Sequence, residues 1–191
     1  MNNNIALLMA LPSESHGLFE QKNIPVYYTG IGKVNAAIAA TDIIHKTKCN
    51  TIINLGSAGS HRFNTHELIE VKEFVQRDMD ISPLGFKIGE TPFDSIPFEI
   101  KNTKTYTNLP QGICGTGDSF EVGKTKVACD LVDMEAFAIA KVCLKMNIEF
   151  ISIKYITDGA DHNAHNDWEA NLIAGAHKLL ACYEDLIIRL A

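Results

Sequence analysis

The chain has 191 residues, 46% of them apolar and 21% charged, which is typical of a globular protein with one substantial core. Its net charge of −6 argues against nucleic acid or an anionic membrane as the partner, because both select basic surfaces. Five cysteines without a C-x-x-C motif indicate free thiols, and the N-terminus resembles no leader peptide. We therefore expect a cytoplasmic enzyme or binding protein.

The first half of the chain alternates short apolar runs with helical patterns. Buried strands are predicted at 5–11, 24–28 and 51–55. A helix should begin at Pro12, and Val34, Ala37, Ile38, Thr41 and Ile44 form the apolar stripe of a second helix. The second and third strands run into turns rich in glycine, T-G-I-G-K (29–33) and G-S-A-G-S (56–60).

The second half continues the alternation. Residues 68–75 alternate apolar and charged side chains, which predicts a half-exposed strand, and a long loop with three prolines follows at 77–97. A strand should start at 112, a helix at Asp133 or Met134, and a further strand at 149–156. A long amphipathic helix ends the chain, with Asn166 and Glu169 resembling a capping box. We predict one α/β domain over 1–191, a three-layer α/β/α sandwich with a mixed, largely parallel central sheet.

Acidic and small side chains follow the predicted strands. Glu14, Ser57 and Asp158 each come just after a strand, and Asp133 and Glu135 open a helix that is otherwise apolar. Ligands bind outside the carboxyl ends of parallel strands, so these groups should converge on one pocket with acid and base capacity. Glu14 could equally be a helix-dipole carboxylate, whereas a buried Glu135 needs a partner.

Two further features leave their alternatives open. Phe120 is as consistent with a core residue as with a platform that stacks on a ligand. His162 and His165 have a spacing seen in metal sites, but they lie in a polar stretch without a third ligand, so a solvated loop is the preferred interpretation. We expect neither a metal nor an organic cofactor.

Five stretches, in this order, resemble the purine nucleoside phosphorylase superfamily and, within it, the 5′-methylthioadenosine/S-adenosylhomocysteine nucleosidases. They are T-G-I-G-K-V-N-A-A (29–37), I-I-N-L-G-S-A-G (52–59), T-G-D-S-F (116–120), V-D-M-E-A-F-A-I-A-K-V-C (132–143) and I-T-D-G-A-D (156–161). The resemblance implies the nucleoside phosphorylase-like fold and cleavage of the N-glycosidic bond of a purine nucleoside. It does not cover every detail: Asp133 stands where the family usually has glutamate, and Glu121 where an apolar residue is usual.

The resemblance also implies a role for each matching residue. Glu14 would activate the attacking water and Asp158 would support protonation of the purine at N7. Ser57 would lie near the water and the sugar, and Phe120 would stack on the base. Met134 would pack on the ribose, and Glu135 would accept hydrogen bonds from both of its hydroxyls, a geometry that suits a carboxylate.

The loop 77–86 resembles the family segment that crosses a dimer interface. By that resemblance Ile81, Leu84 and Phe86 would form an apolar pocket around the 5′ substituent bound by the partner, and the protein would be a homodimer. A loop packed on its own domain is the alternative. Two other functions also remain open: a phosphorylase, although only three arginines are present to hold phosphate, and a nucleoside-binding protein without turnover.

Overall fold

A computed structural model describes residues 4–121, 123–160 and 164–191, with the backbone alone described at 164–170. The strands are β1 (Ile5–Met9), β2 (Val26–Tyr28), β3 (Thr51–Ser60), β4 (Leu68–Gln76), β5 (Glu99–Lys101), β6 (Gln111–Thr116), β7 (Leu131–Asp133) and β8 (Glu149–Asp158). The helices are α1 (Pro12–Ser15), α2 (Leu18–Gln21), α3 (Lys33–Thr47), α4 (Ala136–Met146) and α5 (Ala164–Leu190), and Ser82–Leu84 form a 3₁₀ turn.

All of these strands belong to one mixed sheet. Its order is β2-β1-β3-β7-β6-β4-β5, with β8 paired to both β3 and β4. Of the eight pairings formed by the described residues, five are parallel, which agrees with the predicted largely parallel sheet. The longest pairing joins β3 to β8, from Thr51 opposite Glu149 to Gly59 opposite Asp158. The carboxyl ends of β1, β3 and β8 consequently lie side by side.

Helices cover both faces of the sheet, so the predicted three-layer arrangement is confirmed. On one face α3 and α4 bury Ala36, Ala40 and Phe137 in a core with the strands. On the other face Leu179 and Leu186 of α5 pack in a second core. Among the described helices, none combines the length and the apolar character that a bilayer span requires. The predicted Asn166–Glu169 capping box, like His162 and His165, lies outside the residues whose side chains are described.

The G-S-A-G-S stretch is not a turn, contrary to the prediction. Strand β3 continues through it to Ser60, because its glycines serve close packing rather than chain reversal. A Cβ at Gly56 would lie 3.1 Å from Glu14 Oε1, and one at Gly59 would lie 2.5 Å from Asp158 Oδ1. The strand therefore needs glycine where two acidic side chains press against its backbone.

The apolar stripe predicted for the second helix is partly wrong. Helix α3 buries Ala36, Ala40 and Ile44, whereas Val34 is 68% and Ile38 is 60% exposed. The small alanines let α3 pack closely against its neighbours, which turns the bulkier side chains outwards. An apolar stripe on α3 therefore remains uncovered in the single chain.

Strand β4 is more buried than its alternating sequence predicts. Glu70 is 1% exposed, and its carboxylate accepts hydrogen bonds from Tyr106 N, Thr107 N and Thr107 Oγ1. These donors solvate the charge in place of water, so an acidic residue can occupy an inward-facing position.

Candidate active site

One cavity of about 290 Å³ opens at the carboxyl ends of β1, β3 and β8. The six residues to which the family resemblance assigns a role line it together: Glu14, Ser57, Phe120, Met134, Glu135 and Asp158. Phe120 is 52% exposed and belongs to the cavity wall rather than to the core. Residues far apart along the chain are thus gathered around a space large enough for a small ligand.

Glu14 is held by hydrogen bonds to both of its carboxylate oxygens. Oε1 accepts from Ser57 N and Ser57 Oγ, each at 2.8 Å. Oε2 accepts from Ala10 N at 3.0 Å and Leu11 N at 3.1 Å, so Glu14 reaches back across the start of α1. Four neutral donors fix the carboxylate at the cavity wall, where it is 5% exposed.

Asp158 ends β8 and is 4% exposed. Its Oδ1 accepts from Ala160 N at 2.9 Å, and its Oδ2 accepts from Thr157 Oγ1 at 2.8 Å. Asp158 Oδ1 also lies against Gly59 of the neighbouring strand. The side chain is thereby fixed on β8, and it reaches the cavity from a different strand than Glu14 does.

Glu135 immediately precedes α4, which begins at Ala136 rather than at Asp133 or Met134 as predicted. Its Oε1 accepts from Gly32 N at 2.9 Å, at the start of α3. Burial of the carboxyl, followed by the nearby negative charge of Asp133, raises the pKa of Glu135 to about 8. Near neutral pH the carboxyl group is therefore largely protonated.

Asp133 is the last residue of β7, and its partner is Lys154 of β8. The two side chains form an ion pair at 2.9 Å and are 1% and 2% exposed, respectively. Burial alone would raise the pKa of Asp133, but the charge of Lys154 and the hydrogen bond from Thr116 hold it below its ordinary value. The carboxylate also accepts from Ala136 N at 2.8 Å, so the side chain of Asp133, and not that of Glu135 at the N-cap position, caps α4.

Arg77 follows β4 and lines the same cavity. Its Nη1 donates to Glu121 Oε2 at 2.6 Å and to Ser119 Oγ at 3.0 Å, and its Nη2 donates to the carbonyl oxygens of Gly117 and Ser119. Both terminal nitrogens of the guanidinium are thus engaged with the segment 117–121 that carries Phe120. Among the side chains that the structure describes, its Nε has no hydrogen-bond partner.

The three residues predicted for the 5′ pocket do not line this cavity. Ile81 and Phe86 are partly buried in the loop after β4, and Leu84 is exposed. Phe86 packs edge-on against Phe93, with ring centroids 5.9 Å apart. Within one chain the loop therefore leaves these side chains away from Glu14 and Asp158.

Two groups at the site were not identified from the sequence. Lys154 was missed, although a lysine in the apolar run F-I-S-I-K-Y-I (150–156) signals a buried charge that requires a partner. The backbone amides of Ala10 and Leu11 carry no side-chain signal at all. Within the described part of the chain, no three His, Cys, Asp or Glu side chains are arranged to hold a metal ion.

The fold is shared with solved structures of low sequence identity. A Helicobacter pylori 5′-methylthioadenosine nucleosidase variant, crystallised with 5′-methylthioadenosine in its active site, has a TM-score of 0.88 at 22% identity, covering 98% of this chain and 99% of the other. The futalosine hydrolase of the same organism has a TM-score of 0.87 at 22% identity and covers 96% of each chain.

Curated relatives are closer in sequence. The 5′-methylthioadenosine/S-adenosylhomocysteine nucleosidase of Haemophilus ducreyi is 31% identical in an alignment of 175 positions that covers 81% of this chain and 75% of that protein. The enzyme of the same name from Staphylococcus aureus is 29% identical over 91% of this chain and 85% of its own length. The model of the phosphorylase superfamily matches residues 15–188, and the chain therefore belongs to that superfamily.

Proposed function

We propose that this protein is a purine nucleosidase that hydrolyses the N-glycosidic bond of 5′-methylthioadenosine, S-adenosylhomocysteine or a related purine nucleoside, releasing the free base and the sugar. The observation that carries this proposal is the placement of Glu14, Glu135 and Asp158 around one cavity. The names of the H. ducreyi and S. aureus relatives support the same reaction. We take residues 1–191 as one catalytic domain, and the free, buried thiols of Cys49, Cys114 and Cys143 favour the cytoplasm.

In this reaction the purine must leave with a proton, because a bare anion is a poor leaving group. We assign Asp158 to that step, as the group that delivers a proton towards N7. The hydrogen bonds from Thr157 and Ala160 orient its carboxyl group at the cavity wall. Phe120 would stack on the base, and its exposure within the cavity leaves a face free for that contact.

Water, rather than phosphate, is the proposed nucleophile, and Glu14 its base. Three backbone amides and the Ser57 hydroxyl form a cluster of donors that could bind an anion, but the Glu14 carboxylate already occupies it. A phosphate dianion would have to approach this carboxylate against charge repulsion. Arg77, a cation that lines the same cavity, is engaged with Glu121 and the backbone of 117–121. This arrangement favours hydrolysis over phosphorolysis.

Glu135 and Met134 are assigned to the sugar. Glu135 is buried at the junction of α3 and α4, and one of its oxygens is already oriented by Gly32 N. A carboxylate there can accept from two adjacent ribose hydroxyls at once, and these two donors would replace the water that burial removes. Met134 lines the cavity beside it and offers an apolar surface for the ribose ring.

We further propose that the protein is a homodimer in which Ile81, Leu84 and Phe86 complete the partner's 5′ pocket. The support is an exposed apolar surface: Val34 and Ile38 lie on one side of α3, Ile31 lies in the turn just before this helix, and Leu84 protrudes from the loop. Ile31 also lines the cavity, so this surface is continuous with the site. Covering it with a second copy would remove apolar area from water.

The reaction type can be tested by identifying the sugar product. We expect the protein to convert 5′-methylthioadenosine or S-adenosylhomocysteine to adenine and a free sugar at the same rate with and without phosphate. Adenosine, inosine and guanosine should be tested in parallel to define the base. A sugar 1-phosphate that forms only with phosphate would identify a phosphorylase, and nucleoside binding without any product would identify a binding protein.

Replacement of either proposed proton-transfer group should abolish most of the turnover. Because each transfer contributes about 10²–10⁴-fold to the rate, we expect Glu14→Gln and Asp158→Asn each to lower kcat by about that factor. Asp185→Asn, an exposed change on α5, serves as the control and should be neutral. Circular dichroism should show native secondary structure in all three variants. Wild-type kcat in a folded variant would remove that residue from the mechanism.

Riboside binding should strengthen as the pH rises through the pKa of Glu135, about 8, since only the ionised carboxylate can accept from both hydroxyls. The dissociation constant of 5′-methylthioadenosine, measured in an Asp158→Asn background to prevent turnover, should therefore fall between about pH 6.5 and 9. Adding Glu135→Gln should remove this dependence and weaken riboside binding, with little effect on free adenine. An equal loss of adenine affinity would contradict the diol role.

Charge on the exposed stripe of α3 should disrupt the proposed dimer. We expect Ile38→Glu to convert a dimer into a monomer in sedimentation equilibrium and to lower turnover, because the 5′ pocket would lose the partner's loop. Ile188→Glu is the control, since Ile188 is 75% exposed but lies on α5 at the other face of the sheet. A monomeric wild type with full activity would refute both the dimer and the shared pocket.

A further inference from the structure

Within the described part of the chain, the Arg77 side chain directs its hydrogen bonds to one short segment of the cavity wall. Its acceptors are the carbonyl oxygens of Gly117 and Ser119, the Ser119 hydroxyl and the Glu121 carboxylate. Phe120, the proposed base-stacking residue, lies in sequence between two of these contacted residues, Ser119 and Glu121. Arg77, whose charge could otherwise bind a ligand, thus fixes the segment 117–121, which we call the base wall.

The backbone beneath the guanidinium is built to admit it. A Cβ at Gly117 would lie 2.8 Å from Arg77 Cζ and 2.9 Å from Nη1. Gly115 likewise lies next to the Arg77 side chain, 3.6 Å from its Cδ by the same measure. A side chain at position 117 would therefore collide with the guanidinium, which rests directly on the backbone just after β6, where the base wall begins, whereas the distance at Gly115 is an ordinary contact.

The residue after Arg77 fixes the same wall. Asp78 Oδ2 accepts from Asp118 N at 2.8 Å, and Asp78 Oδ1 pairs with Lys33 Nζ at 2.5 Å. Asp118 Oδ1 in turn accepts from Lys33 N at 2.7 Å. Two consecutive residues after β4 therefore hold the base wall, Arg77 through a positive side chain and Asp78 through a negative one. Asp78 also connects the wall to Lys33 at the start of α3.

Glu121 supplies the countercharge that Arg77 needs. The Arg77 side chain is 3% exposed and that of Glu121 is 22% exposed, so the guanidinium is the more deeply buried partner. A buried cation without a countercharge destabilises the folded protein. An apolar residue at position 121 would leave the Arg77 guanidinium buried without its countercharge. The pair thus accounts for an acidic residue where the family resemblance implies an apolar one.

We propose that Arg77 is a positioning residue for the nucleobase: through Gly117, Ser119 and Glu121 it holds Phe120 in the orientation that stacks on the purine. The assignment rests on the proposed nucleosidase function. Gly123 N donates to Ala160 O at 2.9 Å, which connects the stretch after the base wall to the loop that follows Asp158. Displacement of the base wall would therefore also shift the loop next to Asp158, the proposed proton donor to the base.

The test uses Arg77→Lys, which keeps a positive charge beside Glu121 but replaces the planar fork by a single nitrogen that cannot reach all of the acceptors. We expect the dissociation constant for free adenine and the KM for the nucleoside to rise together by about tenfold, with near-wild-type thermal stability. This pattern differs from that expected of Glu135→Gln, which should spare free adenine. Arg62→Lys, at a surface ion pair with Asp130, is the matched control and should leave both constants unchanged.

A second comparison separates positioning from simple charge neutralisation. Glu121→Leu strands the buried guanidinium and should lower the unfolding temperature, whereas Arg77→Met combined with Glu121→Leu removes both charges and should recover it. Adenine affinity should stay low in the double variant because the base wall has lost its clamp. Recovery of adenine affinity along with stability would overturn the proposal.

The remaining outcomes also discriminate. A folded Arg77→Lys with wild-type adenine affinity, in a protein that cleaves nucleosides, would overturn the positioning role and leave the nucleosidase function standing. A wild-type protein that neither binds adenine nor cleaves any nucleoside would overturn both. If Arg77→Lys weakened nucleoside binding but left adenine binding unchanged, Arg77 would act on the sugar and not on the base. This result would also overturn the proposal.

Discussion

The buried ion pair between Lys154 and Asp133 organises the floor of the cavity. Lys154 lies on a central strand at 2% exposure, where a lone ammonium would be strongly disfavoured. Asp133 stabilises it and also accepts from Ala136 N and Thr116 Oγ1, so the same carboxylate fixes the start of α4. Glu135 is attached to that start. The position of Glu135, the proposed sugar-binding group, therefore depends on the Lys154–Asp133 pair through the start of α4 and not through a direct hydrogen bond.

The same cation explains why neighbouring acids differ. Burial alone would lower the pKa of Lys154, yet the negative charge of Asp133 raises it well above its ordinary value, so the ammonium persists. The charge of Lys154 lowers the pKa of Asp133, which stays ionised. Burial and the charge of Asp133 raise the pKa of Glu135 to about 8. Glu14 is solvated by neutral donors instead. Carboxyl groups in one cavity are thereby given distinct environments, which a division of proton work requires.

Much of the site could be predicted from the sequence because strands and their carboxyl ends leave strong local signals. The apolar runs located β1, β3 and β8, and two acidic residues near strand ends, Glu14 after β1 and Asp158 at the end of β8, lie in one cavity as expected. Glycines misled the prediction at 56–60, because the sequence does not reveal whether a glycine permits a turn or a close approach. The buried face of α3 was also misassigned, since alanines carry less apolar signal than the exposed Val34 and Ile38.

The segment after β4 contributes both to the proposed base-binding site and to the proposed dimer contact, and no local sequence pattern predicts this double role. Arg77 and Asp78 hold the base wall of their own chain, and a few residues later the loop carries Ile81 and Leu84. If those side chains serve the partner, one continuous stretch positions the purine in one site and the 5′ substituent in the other. Lys33, which pairs with Asp78, begins the helix whose exposed apolar stripe would form the rest of that contact. Docking of the second copy would then restrict the motion of Asp78 and, through it, the wall against which the base stacks.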